Sequence, residues 1–584
     1  MFLKCSTRKQ DGKEHRSWSI VESRRIGRSV AHRHVLYLGE ITDSQRAAWQ
    51  KAVAVFDEQD GHTRQCVLLP EDRTPAASHT SAVQVRLDQL RLCRPRAWGA
   101  CWLGDQRWRD LQLDFFFAPR LGVSREGTDW EKVLRLLPLY RLLLPGSEWR
   151  LHRHWFSTTA LADLLGVDER YAQDDTLSRG LDGLVEHKDD LFAHLRQRWS
   201  DLFGAKFDVL LYDLTRTCFE CDVPSDPEGP RRFGYSRDKR SDCVQVIVVL
   251  VVTPEGLPLA YEMFPGNTAD KTTLRDMLQL IQKRYGQAQR IWVMDRGIPT
   301  EAVLEELRQS DSKVSYLVGT PKGRLTSLEA SLADKPWQEV RPPLRVKLLP
   351  QEGEVYVLVE RGPRKGKERG LRHRKLKTLW QRLGEIQNQE LTRDQRIEKL
   401  GAARDRAGRV AAGLVKTSVN AQGQLSFPLD RAKLRSVRQR EGRYLLRTNL
   451  NADNPELLWR CYRQLVFVEE AFRTLKGDLG LRPVYHHKPQ RIEAHLLVAF
   501  RAYCLSITLR QRLRALAGGL RPRAVFEKRA TLQLLDVYVP TTDGRELLLV
   551  RRTEPDRDVA LLLARLNLAL PPQPPPRITP LKTN

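Results

Sequence analysis

Phe207-Asp-Val-Leu-Leu-Tyr-Asp213 and Arg290-Ile-Trp-Val-Met-Asp295 are the stretches that decide the fold of this chain. Each is a short apolar run that ends on an aspartate, and this pattern predicts a buried strand with a carboxylate at its C-terminal end. Further apolar runs predict strands at 244–252, 257–264 and 314–318. Because helical patterns separate several of these runs, we predict an α/β fold with a mixed sheet covered by helices.

A third acidic residue, Glu469, lies in a helical stretch that runs from Asn454 to Lys476. Spacings of three and four residues predict one stripe on that helix, most of it facing the sheet. The stripe comprises Leu458, Tyr462, Leu465, Glu469, Phe472 and Lys476. A carboxylate there is costly unless it binds a metal or pairs with a cation. Glu469 is therefore either a metal ligand or one half of a surface ion pair with Arg473.

Two strand-end carboxylates and one helical carboxylate can together hold two hard divalent cations. Such a pair of ions activates the attacking oxygen and stabilises the leaving oxygen in phosphoryl transfer. We therefore predict that Asp213, Asp295 and Glu469 are the catalytic residues and the metal ligands. The predicted cofactor is two Mg²⁺ ions, for which Mn²⁺ can substitute.

The charge of the chain favours nucleic acid as its partner. The 584 residues include 98 Lys and Arg against 72 Asp and Glu, a net charge of +26 that is spread along the sequence. A merely basic protein would have the same composition, so the charge is not decisive alone. The first residues lack the apolar core of a signal peptide, and we expect no membrane-spanning stretch. Nine scattered cysteines suit a reducing, cytoplasmic location.

Composition divides the chain into five predicted regions. They are a β-rich N-terminal region at 1–60, a mixed then helical region at 61–204 that is a candidate for DNA binding, a catalytic domain formed by 205–320 and 443–515, an insertion at 321–442, and a C-terminal region at 516–584. The charged helical stretch at 371–414 is interpreted as a solvated face, with a DNA-facing helix as the alternative. The prolines at 571–576 predict a disordered tail.

Several motifs resemble, in order, those of bacterial insertion-sequence transposases of the DDE type. Tyr462, Glu469 and Lys476 match the Y-(2)-R-(3)-E-(6)-K signature of one large group. The accompanying motifs are Tyr212–Glu220, Gly234–Asp242, Gly256-Leu-Pro-Leu259, Pro265–Asp270, Asp295-Arg-Gly297, Leu446–Asn449, Val484-Tyr-His-His487 and Arg491–His495. One position departs from the signature, because Leu465 stands where it has Arg. Arg463 lies nearby but is predicted to lie on another face of the helix.

The resemblance implies a ribonuclease H-like catalytic domain, a mixed sheet flanked by helices, that is interrupted by an insertion. It implies binding of terminal inverted repeats in double-stranded DNA, a homodimer on paired ends, 3′ end cleavage and strand transfer into target DNA. The candidate DNA contacts are Tyr462, Lys476, Arg473, Arg296, Arg237, Lys239, Arg240 and Arg482. The alternatives are a DNA nuclease of the same fold without strand transfer, or a domesticated, non-catalytic DNA-binding protein. The acidic triad argues against the latter.

Overall fold

The computed structural model describes most of the chain between residues 2 and 579. It does not describe residues 11–12, 27–28, 40–52, 58–61, 71–81, 123, 125–126, 220, 222–228, 236–239, 241, 287–289, 296–298, 310–313, 321, 343, 352, 452–453, 517 or 580–584. The eight cysteines whose side chains the structure describes are free, including Cys218 and Cys221.

The N-terminal stretch consists of strands. They are β1 (Phe2–Gln10), β2 (Lys13–Ile26), β3 (Ser29–Gly39), β4 (Val53–Asp57), β5 (His62–Pro70), β6 (Ala82–Val85) and β7 (Arg91–Ala97). Strands β1, β2 and β3 form an antiparallel three-stranded sheet.

Helices follow. They are α1 (Gly99–Asp110), α2 (Leu113–Phe117), α3 (Trp130–Leu143), α4 (Glu148–Arg150), α5 (Leu161–Leu165), α6 (Asp174–Asp182) and α7 (Lys188–Phe203). Helix α5 ends at Gly166, whose φ of +61° is left-handed. Glycine adopts this conformation at low cost, which explains why the helix stops there.

The next stretch alternates strands and helices as predicted. Its elements are β8 (Val209–Cys218), β9 (Gln245–Val252), β10 (Pro258–Pro265), α8 (Asp270–Tyr285), β11 (Ile291–Met294), α9 (Glu301–Gln309) and β12 (Ser315–Gly319). All eight residues of β9 are buried, which matches its apolar run from Val246 to Val252.

The segment predicted as an insertion contains both strands and helices. They are α10 (Lys322–Ser327), α11 (Glu329–Ala333), β13 (Gln338–Arg341), β14 (Leu344–Gln351), β15 (Glu354–Arg361), α12 (Gly362–Gln387), α13 (Arg393–Ala412), β16 (Ser418–Val419), β17 (Leu425–Ser426) and α14 (Arg431–Arg440). Helices α12 and α13 pack together around a small core of their own, which includes Leu379, Leu383 and Leu400.

The last elements alternate again. They are β18 (Arg443–Thr448), α15 (Pro455–Arg463), α16 (Leu465–Arg473), α17 (Pro489–Leu516), α18 (Pro522–Arg529), β19 (Gln533–Pro540), β20 (Glu546–Arg552), α19 (Arg557–Arg565) and β21 (Arg577–Ile578).

The chain forms two compact units, of which the first comprises residues 1–188, 477–480 and 486–584. Its larger sheet has the strand order β6-β5-β4-β21-β20-β19-β7, so N-terminal and C-terminal strands share one sheet. The prediction of a disordered tail is wrong for the described residues. Strand β21 pairs with both β20 and β4, and Ile578 is buried in that sheet.

Helix α17 of the first unit corrects a second expectation. By length and composition it could cross a membrane, although the sequence analysis recognised no such stretch. Its apolar window is entirely buried, and the helix packs against α1, α3, α6 and α18. These are the properties of a core helix, and its apolar composition follows from being surrounded by protein.

The second unit comprises residues 189–476 and 481–485 and is built on a nine-stranded mixed sheet. Its first five strands have the order β10-β9-β8-β11-β12. Strands β8, β9 and β10 are antiparallel, while β11 is parallel to both β8 and β12. This arrangement is that of ribonuclease H-like domains and confirms the predicted fold class. Helix α16 packs on β8 and β9, and α15 packs on β11 and β12.

The sheet continues into the segment predicted as an insertion. Strand β18 pairs with β12 on one side and with β15 on the other, and β14 and β13 follow. The predicted boundary at residue 321 is therefore wrong for the sheet, because β13–β15 belong to it.

Residues 362–441 lie outside the sheet, and we call them the hairpin module. The N–H of Arg361 donates to the carbonyl of Gly442 at 3.0 Å. The module thus departs from and returns to adjacent points at one end of the antiparallel β15–β18 pair.

Candidate active site

Asp213 and Asp295 lie on neighbouring parallel strands of the second unit. The last paired residues of β8 and β11 are Tyr212 and Met294, so each aspartate occupies the next position along its strand. Adjacent strands are about 4.8 Å apart, which brings the two backbones side by side.

The prediction that both aspartates end their strands is correct only for Asp295. Strand β11 stops at Met294, but β8 continues to Cys218 because β9 pairs with it along this length. Asp213 is paired with Leu250 in the middle of β8. Asp213 therefore lies at the point where β8 is no longer paired with β11 but is still paired with β9.

Strand β8 holds Asp213 rigidly. Leu210, Leu211 and Tyr212 are completely buried, and the Tyr212 hydroxyl lies 3.0 Å from Thr273 Oγ1. Burial raises the pKa of Tyr212, so this hydroxyl stays protonated. Asp213 itself is half-buried, and its Oδ1 accepts a hydrogen bond from the Leu214 N–H at 2.8 Å.

Glu469 lies on α16, but the continuous helix predicted around it is wrong. The helix begins as predicted, with the Asn454 side chain accepting from the Leu457 N–H at 3.0 Å. A turn at Gln464 then separates α15 from α16, and a π-helical segment begins at Thr474. On the predicted stripe, Leu458, Leu465 and Phe472 are buried, Tyr462 and Lys476 are half-buried, and Glu469 is exposed.

Glu469 and Asp295 line the same cleft, which has a volume of about 350 Å³. Although the Glu469 side chain is exposed, its pKa is raised, first because nearby protein partly removes the carboxyl from water and second because of the charge of Asp295. Arg473 opposes this shift and lowers the pKa of Glu469. Two carboxylates that repel each other in one cleft form a donor set suited to divalent cations, since a bound cation offsets the repulsion.

Arginines dominate the other walls of the cleft. Arg361, Arg364, Arg443 and Arg463 all line it. None of the four was among the candidate site residues, and Arg463 was predicted on another face of the helix. Because Val466 also lines the cleft, the cleft covers a broader arc of this helical segment than the predicted stripe.

An aromatic layer connects these arginines. Tyr462 lines the cleft and stacks on Tyr444, with ring centroids 5.7 Å apart. The Arg364 guanidinium lies 4.9 Å from the Tyr444 ring centre, and Arg463 lies 5.0 Å from that of Trp459. The Trp459 Nε1–H donates to the Tyr444 hydroxyl at 2.7 Å. The signature tyrosine thus stacks on Tyr444 of β18, which Arg364 of α12 and Trp459 of α15 also contact.

The remaining candidate residues have different surroundings. Arg473 is exposed and acts electrostatically on Glu469, whereas Lys476 and Arg482 are half-buried. Arg240 donates to Asp242 at 3.1 Å, a local ion pair two residues away. Among the described residues, Lys476, Arg473, Arg482 and Arg240 do not line the cleft. Arg237, Lys239 and Arg296 lie outside the described residues.

Two glycines explain the motifs that begin at Gly234 and Pro265. The Gln245 side-chain amide donates to the carbonyls of Gly266 and Tyr235, both at 3.1 Å. A Cβ on Gly266 would lie 2.1 Å from the Gln245 carbonyl oxygen and 2.5 Å from that of Arg232. Only glycine allows these backbones to approach so closely. The contact fixes Gly234 and Tyr235, with which the first of these motifs begins.

His486 and His495, from the two motifs that follow the signature, belong to a largely buried cluster of the first unit. Glu148, His486 and His495 have ligand atoms within 4.8 Å of one another, the only such set of three among the described residues. The buried Arg141 guanidinium lies 3.6 Å from Glu148 Oε1 and 3.4 Å from His495 Nδ1. Burial opposes the ionisation of Glu148, but His486, Arg141 and His495 together lower its pKa to about 2. Because the guanidinium already neutralises the carboxylate, the cluster is a charge network rather than a metal site.

Comparisons with known proteins agree with this geometry. Residues 216–505 match the model of a transposase DDE domain, a metal-dependent phosphoryl transferase whose relatives use divalent metal ions. This range contains Asp295 and Glu469 and begins three residues after Asp213. Residues 3–62 match the N-terminal domain of IS1634 family transposases.

A solved structure of a piggyBac transposase synaptic complex with hairpin DNA is similar at 10% identity and a TM-score of 0.32. The match covers 74% of this chain and 77% of that one. No curated protein matches the chain. The chain is thus similar to DDE transposases over its catalytic segment and to IS1634 family transposases over its N-terminal segment.

Proposed function

We propose that this protein binds the terminal inverted repeats of its own insertion sequence, cleaves their 3′ ends and joins the freed 3′-OH to target DNA. The observation that supports it best is the shared cleft of Asp295 and Glu469, beside Asp213 and walled by arginines. A cleft that combines repelling carboxylates with guanidinium groups suits a phosphodiester and divalent cations together.

Asp213, Asp295 and Glu469 would hold two Mg²⁺ ions, for which Mn²⁺ can substitute. When bound, these ions would supply activation of the attacking oxygen and stabilisation of the leaving oxygen. Asp213 and Asp295 would provide ligands from rigid strands, whereas Glu469 would approach from α16. Its raised pKa means that cation binding and loss of the Glu469 proton favour each other.

Positioning of the DNA would be the task of the cationic and aromatic side chains. Tyr462 would contact backbone phosphate from within the cleft, and Arg473 at the end of α16 and Lys476 in the π-helical segment that follows would do so from outside it. Arg237, Lys239, Arg240, Arg296 and Arg482 are further candidates. We expect a homodimer on paired ends, because two ends and a target must be held together. We also expect it to act in the bacterial cytoplasm, on the nucleoid.

The test uses the full-length protein and duplex DNA that carries the inverted repeats flanking its coding region, with Mg²⁺. The wild type should nick the 3′ ends and join them to a target plasmid. Asp295→Ala and Glu469→Ala should abolish both steps while end binding in a gel-shift assay remains. Glu470→Ala is the matched control, because it removes a neighbouring carboxylate that does not line the cleft.

Three outcomes would change the proposal. Equal loss of binding and cleavage in the variants would make these carboxylates structural. Cleavage without joining would favour a nuclease of the same fold. Binding without any cleavage by the wild type would favour a DNA-binding protein that has lost catalysis.

A further inference from the structure

We infer that the hairpin module completes the active site, and that Arg361 and Arg364 at its entrance bind the backbone phosphates of the DNA strand that occupies the cleft. This inference rests on the proposed function and assigns part of the substrate contact to a segment outside the five ribonuclease H-like strands.

The placement of the two residues is the first support. Arg361 is the last residue of β15, and Arg364 lies in the first turn of α12. Both side chains reach the cleft that contains Asp295 and Glu469. The hydrogen bond between Arg361 and Gly442 holds the start of the module against the sheet, so this entrance is part of a rigid ladder.

The charge of the cleft is the second support. Its lining contains four arginines and two acidic residues, an excess of two positive charges before any cation binds. Arg443 pairs with Glu360 at 2.8 Å and Arg364 with Glu368 at 3.2 Å. Among the residues that the structure describes, Arg361 and Arg463 have no ion pair. A guanidinium without an acidic partner, beside catalytic carboxylates, is suited to bidentate phosphate binding.

The module itself provides a third support, because its positive charge continues away from the cleft. The sequence from Arg361 to Lys377 contains nine Lys and Arg residues and one Glu. The first turn of α12 also carries the partial positive charge of a helix N-terminus. Phosphates that leave the cleft along α12 would therefore meet further cations, as expected of a path for a DNA backbone.

The test is end binding by the full-length protein in EDTA over a series from 50 to 200 mM KCl, which needs no catalysis. Each lost phosphate contact lowers the slope of log K against log salt by about 0.9. For Arg361→Ala/Arg364→Ala we expect a slope smaller by about 1.8, so that affinity falls about tenfold less over this range than for the wild type. Arg361→Lys/Arg364→Lys should keep most of the slope.

Arg275→Ala/Lys283→Ala is the matched control. It removes two exposed charges from α8, which does not line the cleft, and should change the slope much less. An unchanged slope in the Arg361/Arg364 alanine variant would overturn the inference, as would an equal change in the control. Cleavage by the wild type is measured in parallel with Mg²⁺. Its absence would count against the proposed function, whereas the salt slopes decide on the two arginines independently.

Discussion

Gly266→Ala is predicted to destabilise the second unit through one steric contact. The new Cβ would lie 2.1 Å from the Gln245 carbonyl oxygen and 2.5 Å from that of Arg232. Both atoms are backbone atoms, and Arg232 and Gln245 exchange hydrogen bonds of 2.8 and 3.1 Å, so neither can rotate away. Overpacking of this kind costs about 1–3 kcal/mol. In a unit of this size each kcal/mol lowers Tm by about 2–4 °C, so a decrease of about 2–12 °C is expected.

Gly370→Ala provides the matched control. Gly370 lies inside α12, and a Cβ there would meet nothing within 4 Å. Because alanine favours a helix over glycine, this change should stabilise the protein by about 0.5–1 kcal/mol. Both variants are compared by urea unfolding and by thermal unfolding. A Gly266→Ala protein as stable as the wild type would refute the steric explanation of the two glycine motifs.

Three further predictions concern the carboxylate site, the module and the signature lysine. In EDTA, Glu469→Gln should stabilise the protein, because the pKa of Glu469 is raised in the folded state. The gain in stability should be absent below the ordinary glutamate pKa of about 4.5 and should appear as the pH rises above it. Urea unfolding at pH 4 and pH 7 measures this gain, and an equal effect of the substitution at both pH values would contradict the prediction. Replacing residues 362–441 by Asn-Gly should keep the nine-stranded sheet, because Arg361 and Gly442 are already adjacent, but it should weaken binding to the DNA ends. Circular dichroism measures the first effect and a gel-shift assay the second. Binding equal to that of the wild type would argue against a DNA contact by the module. Lys476→Ala should slow strand transfer while Mg²⁺ still binds, and wild-type transfer rates across a salt series would reduce Lys476 to a solvated lysine.

The ribonuclease H-like strands could be predicted from sequence because buried strands consist of short, continuous runs of apolar residues. Strands β9 and β11 are apolar except for Gln245, and their predicted bounds differ from the observed ones by at most one residue. The extension of β8 beyond Asp213 could not be predicted in this way. Leu214–Cys218 mixes polar and apolar residues and becomes a strand through its pairing with β9.

The arginines of the cleft were missed for a related reason. Arg361 and Arg364 belong to a segment that composition set apart, and only the pairing of β15 with β18 brings them beside Glu469, 105 residues later than Arg364 in the sequence. The basic run that follows β15 was a usable signal, but solvated helices carry similar runs. Arg463 was assigned to another face because the predicted stripe was one narrow row of side chains, whereas Arg463 and Val466 beside that row also line the cleft.

The pairing of β15 with β18 also bears on how this enzyme could be shortened. Removal of the whole span from 321 to 442 would take away the outer partner of β18 and leave a row of unpaired N–H and C=O groups. The sequence of β18, Arg-Tyr-Leu-Leu-Arg-Thr, contains no proline and no acidic residue that would discourage pairing with another chain. Such a protein would expose β18 as an unpaired edge strand and would be prone to aggregation during expression. A deletion confined to the hairpin module would leave β18 paired with β15. Strands β13–β15 thus keep β18 from being an edge strand of the catalytic sheet. Natural relatives with deletions in this region should therefore retain these three strands.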